Sequence, residues 1–242
     1  QKIVDSMREA LANGEFEAWF QPQYSHARGA LIGWEGLVRW KKGGKYISPA
    51  EFSPIFEQNG FIYETDRYIW EQVCIKLRGW IDAGFSPLPV SVNISRRDIQ
   101  HSDFVEVITG IVKKYGIPEK LFRVEITESS FAGSEELICE RVTKLVSLGY
   151  TVEIDDFGSG YSTLNTLKDV PASVLKLDMK FFESKKNRGR AGNIVESIVR
   201  MAKWLGMAVI AEGVEQKEQA DYLKSIGCYY IQGFYYAKPM PA

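Results

Sequence analysis

The sequence predicts an α/β fold, a modified TIM (β/α)8 barrel with an antiparallel first strand. Strand-like and helix-like segments alternate along most of the chain, which is typical of a parallel sheet covered by helices. Eight strand-like segments in 242 residues fit a closed barrel better than an open sheet. Only a hairpin-sized gap separates the first two segments, which predicts that one strand runs antiparallel. An open doubly wound sheet is the alternative.

The first third of the chain is predicted to be a hairpin followed by two helices. The strand-like runs EAWFQPQY (17–24) and ALIGWEGLVRW (30–40) flank the short segment SHARG. A helix begins in ISPAEF, where Ser48 is the predicted N-cap and Glu51 is the third residue after it. A second helix is predicted over about 64–83, because apolar residues recur there at helical spacing.

From residue 88 onward, strands and helices alternate with short connections. The predicted strands are LPVSVNIS (88–95), LFRVEIT (121–127), TVEID (151–155), SVLKLD (173–178), MAVIAEG (207–213) and CYYIQGFYY (228–236). The predicted helices between them cover about 102–115, 134–148, 192–206 and 215–227, with a short helix after the glycine-rich loop that follows TVEID.

Composition and charge exclude several classes of function. The 30 basic and 31 acidic residues leave a net charge of −1, which disfavours binding to a DNA or RNA duplex. The three cysteines are far apart and odd in number, so we expect a reducing compartment and neither disulfides nor a zinc site. The two histidines, His26 and His101, lie at predicted loop or helix-start positions, which disfavours a histidine base or a cluster of His ligands.

No apolar run approaches the roughly 18 residues of a membrane span, and the sequence does not begin with a signal peptide. The first residues form a predicted amphipathic helix without an initial Met, which indicates a longer protein with an upstream regulatory or sensor domain. We therefore expect a cytoplasmic domain without membrane contact of its own, or the cytoplasmic domain of a membrane protein.

Each predicted strand carries one polar or charged residue near its end. In a barrel, the carboxyl ends of the parallel strands form one mouth, so these side chains are expected to surround one cavity. The eight residues are Gln21, Glu35, Asn93, Glu125, Asp155, Lys176, Glu212 and Gln232. This argument places seven of them, and it does not place Gln21, because Gln21 lies on the antiparallel strand.

Five carboxylates are expected in this cavity, because Asp156 directly follows Asp155. Two like charges ~4 Å apart repel by about 4 kcal/mol at an effective dielectric near 20, and a domain is stable by only ~5–15 kcal/mol. Protons or cations must therefore accompany the acids, and Lys176 is the obvious protein cation, with Arg39 beyond it. Oxygen ligands without His or Cys favour Mg²⁺ or Mn²⁺, and an acidic pair suits two ions that promote displacement at phosphorus, with Asp155 bridging them. Structural salt bridges are the alternative, for Lys176 a bridge to Asp178 or a neighbour.

A series of motifs resembles the EAL-domain family of cyclic di-GMP phosphodiesterases, and the resemblance covers nearly the whole chain. QPQY resembles the family's QP motif and EGLVRW its E-x-L-x-R motif. VNIS, EITES, DDFGSGYSTL, LKLD, AEGVE and QGFYYAKP follow in the family's order and spacing. The resemblance implies a modified (β/α)8 barrel with an antiparallel first strand. It also implies that the chain hydrolyses cyclic di-GMP to linear 5′-pGpG with two Mg²⁺ or Mn²⁺ ions.

The resemblance implies roles for individual residues. The implied metal ligands are Glu35, Asn93, Glu125, Asp155 and Asp156. The implied catalytic residues are Lys176 beside the attacking water, Glu212 at the metal-bound water, Asp156, and Glu128, which anchors the glycine loop. The implied substrate contacts are Gln21, Leu37, Arg39 and Gln232.

The resemblance also implies a homodimer that involves the loop GYSTLNTLKDVP (160–171). We expect residues 1–14 to be an N-terminal linker helix and residues 15–242 to be the EAL phosphodiesterase domain. The alternative function is a catalytically silent cyclic di-GMP receptor or interaction domain. Silent members usually lose Glu35 or the Asp155–Asp156 pair, and this sequence keeps both.

Overall fold

Within the described residues, ten strands form one sheet, and eight of them close into a barrel. The structure, a computed structural model, describes residues 2–158, 164–179 and 188–242. The barrel strands are β1 (Phe16–Ser25), β2 (Ala30–Lys42), β4 (Val90–Ile94), β5 (Phe122–Thr127), β6 (Thr151–Asp155), β7 (Val174–Asp178), β8 (Ala208–Glu212) and β9 (Tyr230–Gln232). Because β1 pairs with both β2 and β9, the sheet is closed and the predicted barrel is confirmed.

The first strand is antiparallel to both of its barrel neighbours, as the hairpin predicted. The other barrel strands pair in parallel with one another. Two further strands, β3 (Lys45–Ile47) and β10 (Met240–Pro241), extend β2 and β1 beyond the barrel. With three and two residues, they are too short to give an alternating pattern in the sequence.

The last predicted strand, 228–236, is longer than the observed β9. The chain leaves the barrel at Gly233, which has φ of 156°. A Cβ atom at Gly233 would lie 2.1 Å from the Val214 carbonyl oxygen, so the backbones approach too closely for any side chain. This close approach ends the strand after Gln232.

Nine helices are present in the described part of the chain, and most lie where the sequence predicted them. They are α1 (Lys2–Ala12), α2 (Pro49–Asn59), α3 (Ile62–Asp82), α4 (Arg96–Gln100), α5 (Phe104–Lys114), α6 (Glu135–Ser147), α7 (Leu164–Asp169), α8 (Arg188–Trp204) and α9 (Lys217–Ser225). The short α4 was not predicted, although Ser95 caps it by accepting a hydrogen bond from the Asp98 amide. In the described residues, no helix combines the length and the apolar character that crossing a membrane requires.

The strands place apolar residues outside the barrel and polar residues inside it. On β5, Val124 and Ile126 are fully buried against the helices, whereas Glu125 between them contacts the barrel interior. β7 repeats the pattern, with Leu175 and Leu177 outside and Lys176 inside. Successive strand residues alternate between faces, so the core between sheet and helices carries the stability and leaves the interior for polar groups.

A second, aromatic cluster fixes the first helix against the barrel. Met7 and Ala10 of α1 are buried with Phe16, Trp40 and Phe52. The Phe16 and Trp40 ring centroids are 5.1 Å apart. The helix predicted over residues 1–14 therefore packs on the domain, and its use as a linker stays a prediction.

Candidate active site

Lys176 lies at the centre of the barrel mouth and is surrounded by carboxylates from four other strands. Its Nζ atom is 2.6 Å from Glu125 Oε2, 2.8 Å from Glu212 Oε1, 3.3 Å from Glu35 Oε2 and 3.7 Å from Asp155 Oδ1. The Lys176 side chain is completely buried. The sequence analysis considered buried salt bridges as an alternative role for this lysine. Such bridges are present, and their partners are the four acids predicted for the site.

Amide side chains complete the network around Glu35. Asn93 Nδ2 donates to Glu35 Oε1 at 2.9 Å, and Gln232 Nε2 donates to Glu35 Oε2 at 2.5 Å. Gln232 also donates to Gln21 Oε1 at 3.2 Å. All eight predicted strand-end residues thus belong to one connected network. Gln21 joins it because the antiparallel register places Gln21 opposite Glu35.

The surrounding acids keep Lys176 protonated. Burial by itself lowers the pKa of a lysine, but the charges of Asp155, Glu125 and Glu212 outweigh burial and raise the Lys176 pKa well above its ordinary value. Lys176 is therefore a permanent cation at neutral pH. It can stabilise negative charge, but it is a poor proton acceptor.

The pKa values of these carboxylates are shifted in opposite directions, although all of them contact Lys176. Burial raises the pKa of Glu125 well above its usual range, and the charge of Glu35 adds to this rise. Burial and the charge of Asp155 do the same for Glu212. The Glu35 pKa is lowered, because the Lys176 charge and hydrogen bonds from Gln232 and Asn93 together outweigh burial. One lysine does not neutralise the cluster, so the remaining charge calls for protons or further cations.

The adjacent acids Asp155 and Asp156 are separated by a sharp turn. β6 ends at Asp155, and Asp156 adopts a left-handed backbone with φ of 55°. The Asp156 amide donates to Asp155 Oδ1 at 2.8 Å. Burial and the neighbouring Asp155 raise the pKa of Asp156 to about 6. Glu128 accepts a hydrogen bond from the Gly158 amide at 2.7 Å and so holds the start of the glycine loop.

Arg39 and Leu37 lie beyond the carboxylates on the same face of β2. Both side chains are partly exposed. Burial lowers the Arg39 pKa and the charge of Glu35 raises it, so the guanidinium lies within electrostatic range of the site. The guanidinium also lies over the Trp19 ring, 5.6 Å from its centroid.

The sequence analysis missed one buried acid of the barrel interior. Glu153 is fully buried and forms a 3.1 Å ion pair with Arg123 Nη1. It lies opposite Glu125 in the parallel register and helps to raise the Glu125 pKa. Its position two residues before Asp155 places both on one face of β6, so strand periodicity could have found it.

The donor set suits hard divalent ions. Four carboxylates contact Lys176, Asp156 directly follows one of them, and Glu125 Oε1 is buried without a hydrogen-bond partner among the described residues. Among the residues described, however, no three His, Cys, Asp or Glu side chains are arranged to hold a metal ion as they stand. Four of the acids instead contact the Lys176 ammonium group. Oxygen donors with unbalanced negative charge fit Mg²⁺ or Mn²⁺ in chemical type.

Comparison with known proteins identifies the family of the chain. The profile of the EAL domain family matches residues 4–239. The chain belongs to the EAL domain family. This EAL chain is 35% identical to the signaling protein YkoW of Bacillus subtilis over 236 residues, which are 97% of the chain and 29% of YkoW. It is 31% identical to the bifunctional diguanylate cyclase/cyclic di-GMP phosphodiesterase MucR of Pseudomonas aeruginosa, over 100% of the chain and 35% of MucR.

Solved structures share the whole architecture. The MucR phosphodiesterase in complex with c-di-GMP superimposes with a TM-score of 0.94 at 30% identity, over 100% of this EAL chain and 98% of that structure. The EAL enzyme Bd1971 with cAMP and cyclic di-GMP bound gives 0.91 at 30% identity, over 99% of this chain and 66% of that structure. The chain spans about a third of the length of YkoW and of MucR.

Proposed function

We propose that this EAL domain is a phosphodiesterase that hydrolyses one phosphodiester of cyclic di-GMP to give linear 5′-pGpG. One observation supports it above all: four strand-end acids contact Lys176 in the barrel mouth, and the strand-end amides join the same network through Glu35. The MucR and Bd1971 structures, which contain cyclic di-GMP, have the same fold. Together they favour this substrate over other phosphodiesters.

Metal dependence is part of the proposal. Glu35, Asn93, Glu125, Asp155 and Asp156 would hold Mg²⁺ or Mn²⁺ through oxygen atoms. Bound ions of this type would supply positive charge for the phosphate and acidify water. They would also satisfy Glu125 Oε1, which has no hydrogen-bond partner within the described part of the chain.

Side chains of the protein are proposed to stabilise charge, transfer a proton, contact the substrate and position the glycine loop. Lys176 stays protonated and is placed to stabilise the charge that develops on the phosphate oxygens. Glu212 has a raised pKa and lies against Lys176, so it is the better candidate to accept and hold a proton near neutral pH. Gln21, Gln232, Leu37 and Arg39 are proposed to contact the substrate. Glu128 positions the glycine loop through Gly158.

A direct assay tests the enzyme. The domain is incubated with cyclic di-GMP and Mg²⁺ or Mn²⁺, with an EDTA control, and the products are separated by chromatography. We expect 5′-pGpG only with metal, and loss of turnover in Glu35→Ala and Asp155→Ala. Binding without turnover would reject the enzyme and favour the alternative, a silent cyclic di-GMP receptor.

We also propose a homodimer and a regulatory or sensor domain outside this chain. YkoW and MucR are about three times as long as the chain, which supports further domains. The dimer prediction concerns the loop 160–171, of which residues 160–163 lie outside the described residues. Light scattering on the purified domain measures the oligomeric state, and a monomer at all concentrations would reject the dimer.

A further inference from the structure

The inner face of the first hairpin continues beyond the barrel mouth. β1 and β2 contain 10 and 13 residues, whereas the parallel strands from β4 to β9 contain three to six. The pair Gln21–Glu35 belongs to the site, the next pair on the same face is Trp19–Leu37, and the one after it is Glu17–Arg39. Pairs two residues apart are separated by about 7 Å along the strands. The Trp19 side chain thus lies one residue pair beyond the carboxylates, on the outer side of the barrel mouth.

Polar and aromatic contacts fix the Trp19 side chain. Its Nε1 donates to Glu17 Oε2 at 3.1 Å, and the Tyr46 hydroxyl donates to the same oxygen at 3.0 Å. The Tyr46 ring meets the Trp19 ring edge-on, with centroids 4.9 Å apart and an interplanar angle of 69°. Because two partners orient it, Trp19 presents a preset surface although it is only partly buried.

Arg39 links this aromatic group to the site. Its guanidinium lies over the Trp19 ring, and the charge of Glu35 acts to raise its pKa. Aromatic rings and guanidinium planes are the surfaces on which nucleic-acid bases stack. Leu37, directly opposite Trp19, adds an apolar neighbour. These three side chains form what we call the rim platform.

We propose that Trp19 is a substrate-binding residue, and that the rim platform stacks against one purine base of the cyclic dinucleotide. This inference rests on the proposed function. A base is joined to its phosphate through one sugar. The rim platform lies about 7 Å along the strands from the acids that would act on the phosphate, which is the separation of residue pairs two positions apart. Trp19 would therefore contribute to binding and to selection of nucleotide substrates, and not to the chemical step.

The test compares Trp19→Ala and Trp19→Phe with the wild type. Trp204→Ala is the matched control, because Trp204 is 81% exposed at the end of α8. We measure kcat and KM for cyclic di-GMP, its Kd by calorimetry with Ca²⁺ in place of Mg²⁺, and hydrolysis of bis(p-nitrophenyl) phosphate, which has no base. Thermal unfolding verifies that each variant is folded.

We expect Trp19→Ala to raise KM and Kd about tenfold or more with little change in kcat, as loss of base stacking predicts. Trp19→Phe should retain most of the affinity, and hydrolysis of the baseless substrate should not change in either variant. If a folded Trp19→Ala variant had the KM and Kd of the wild type, the proposed role of the rim platform would be overturned. The proposed phosphodiesterase activity would not be affected by that result. Equal losses on both substrates would also overturn the proposed role of the rim platform, because they would indicate general damage to the site. If the wild type neither binds nor cleaves cyclic di-GMP, the proposed function fails and the inference fails with it.

Discussion

Replacing Lys176 by Met tests the electrostatic account of the site. Met has a similar length and no charge, so the variant removes the cation that contacts Glu125, Glu212, Glu35 and Asp155. Each of the two short contacts, 2.6 and 2.8 Å, corresponds to a gross attraction of about 6 kcal/mol at an effective dielectric of 20. Desolvation of the buried ions offsets much of this attraction. Removing one partner of a buried ion pair lowers stability by about 3–5 kcal/mol.

The loss should depend on pH in a defined direction. The folded-state pKa of Lys176 is raised, so Lys176 stays protonated from pH 5 to pH 8 and its own titration adds no pH dependence in this range. The raised pKa values of Glu125 and Glu212 mean that these acids take up protons as pH falls. Protonated acids need no cation. The deficit of Lys176→Met should therefore be about 3–5 kcal/mol at pH 8 and smaller at pH 5.

Urea unfolding in EDTA at both pH values measures this deficit. Lys217→Met is the control, because Lys217 and its partner Asp221 are mostly or half exposed and the pair is screened by solvent. Cyclic di-GMP turnover should be lost in Lys176→Met and kept in Lys217→Met. A deficit equal at pH 5 and pH 8, or no deficit at all, would refute the account of the cluster.

Three further predictions follow from the same energetics. Glu125→Gln should reduce metal-dependent turnover about 100-fold or more. It should lower the unfolding free energy less than Lys176→Met does, because Lys176 keeps three other carboxylate partners; chromatographic assays and urea titrations measure the two effects. Asp66→Asn should raise the unfolding free energy by about 1–3 kcal/mol at pH 8 and leave it unchanged at pH 5. Burial and the neighbouring Asp98 raise the pKa of Asp66, and burial raises the pKa of Asp98 to about 6. The wild type is therefore more stable when both acids are protonated, and it loses this stability as pH rises through their folded-state pKa values. The affinity for Mn²⁺ should increase from pH 5 to pH 8, and binding should release protons near pH 6, because the pKa of Asp156 is raised to about 6. Calorimetry in buffers with different ionisation heats measures the number of protons released.

Exposed acids provide matched controls for these variants. Glu106→Gln controls for Glu125→Gln, since Glu106 pairs with Lys144 at the exposed surface. Asp82→Asn controls for Asp66→Asn on the same helix, since Asp82 is 65% exposed beside Arg78. Full turnover in Glu125→Gln would remove Glu125 from the proposed ligands. An unchanged pH profile in Asp66→Asn, or Mn²⁺ binding without proton release at pH 6, would contradict the stated protonation of the acids.

Some features of the site were accessible from the sequence because strand periodicity is a local property. Glu125 follows an apolar residue in a short strand, and Lys176 occupies the equivalent position two parallel strands later. The alternation of faces is enough to place both inside the barrel once the apolar residues around them are assigned to the core. Glu153 was accessible by the same rule and was overlooked.

Other features required coordinates. The short strand β3 has no pattern of its own, and it exists because β2 offers it a free edge. Asp156 takes a left-handed backbone that the motif alone does not specify for a residue other than glycine. The contact between Arg39 and Trp19 depends on how the antiparallel register of β1 and β2 extends past the mouth.

The order of residues in the chain by itself determined the alternation of strands and helices, the antiparallel first strand and the identity of the side chains at the strand ends. Only the closed tertiary structure decided that Glu35 reaches Lys176 from another part of the barrel wall, and that the pKa of Glu35 is lowered while the pKa of Glu125 is raised. The physical reason is that periodicity depends on neighbours in sequence, whereas electrostatic energy depends on distance and burial, which exist only after the barrel has closed.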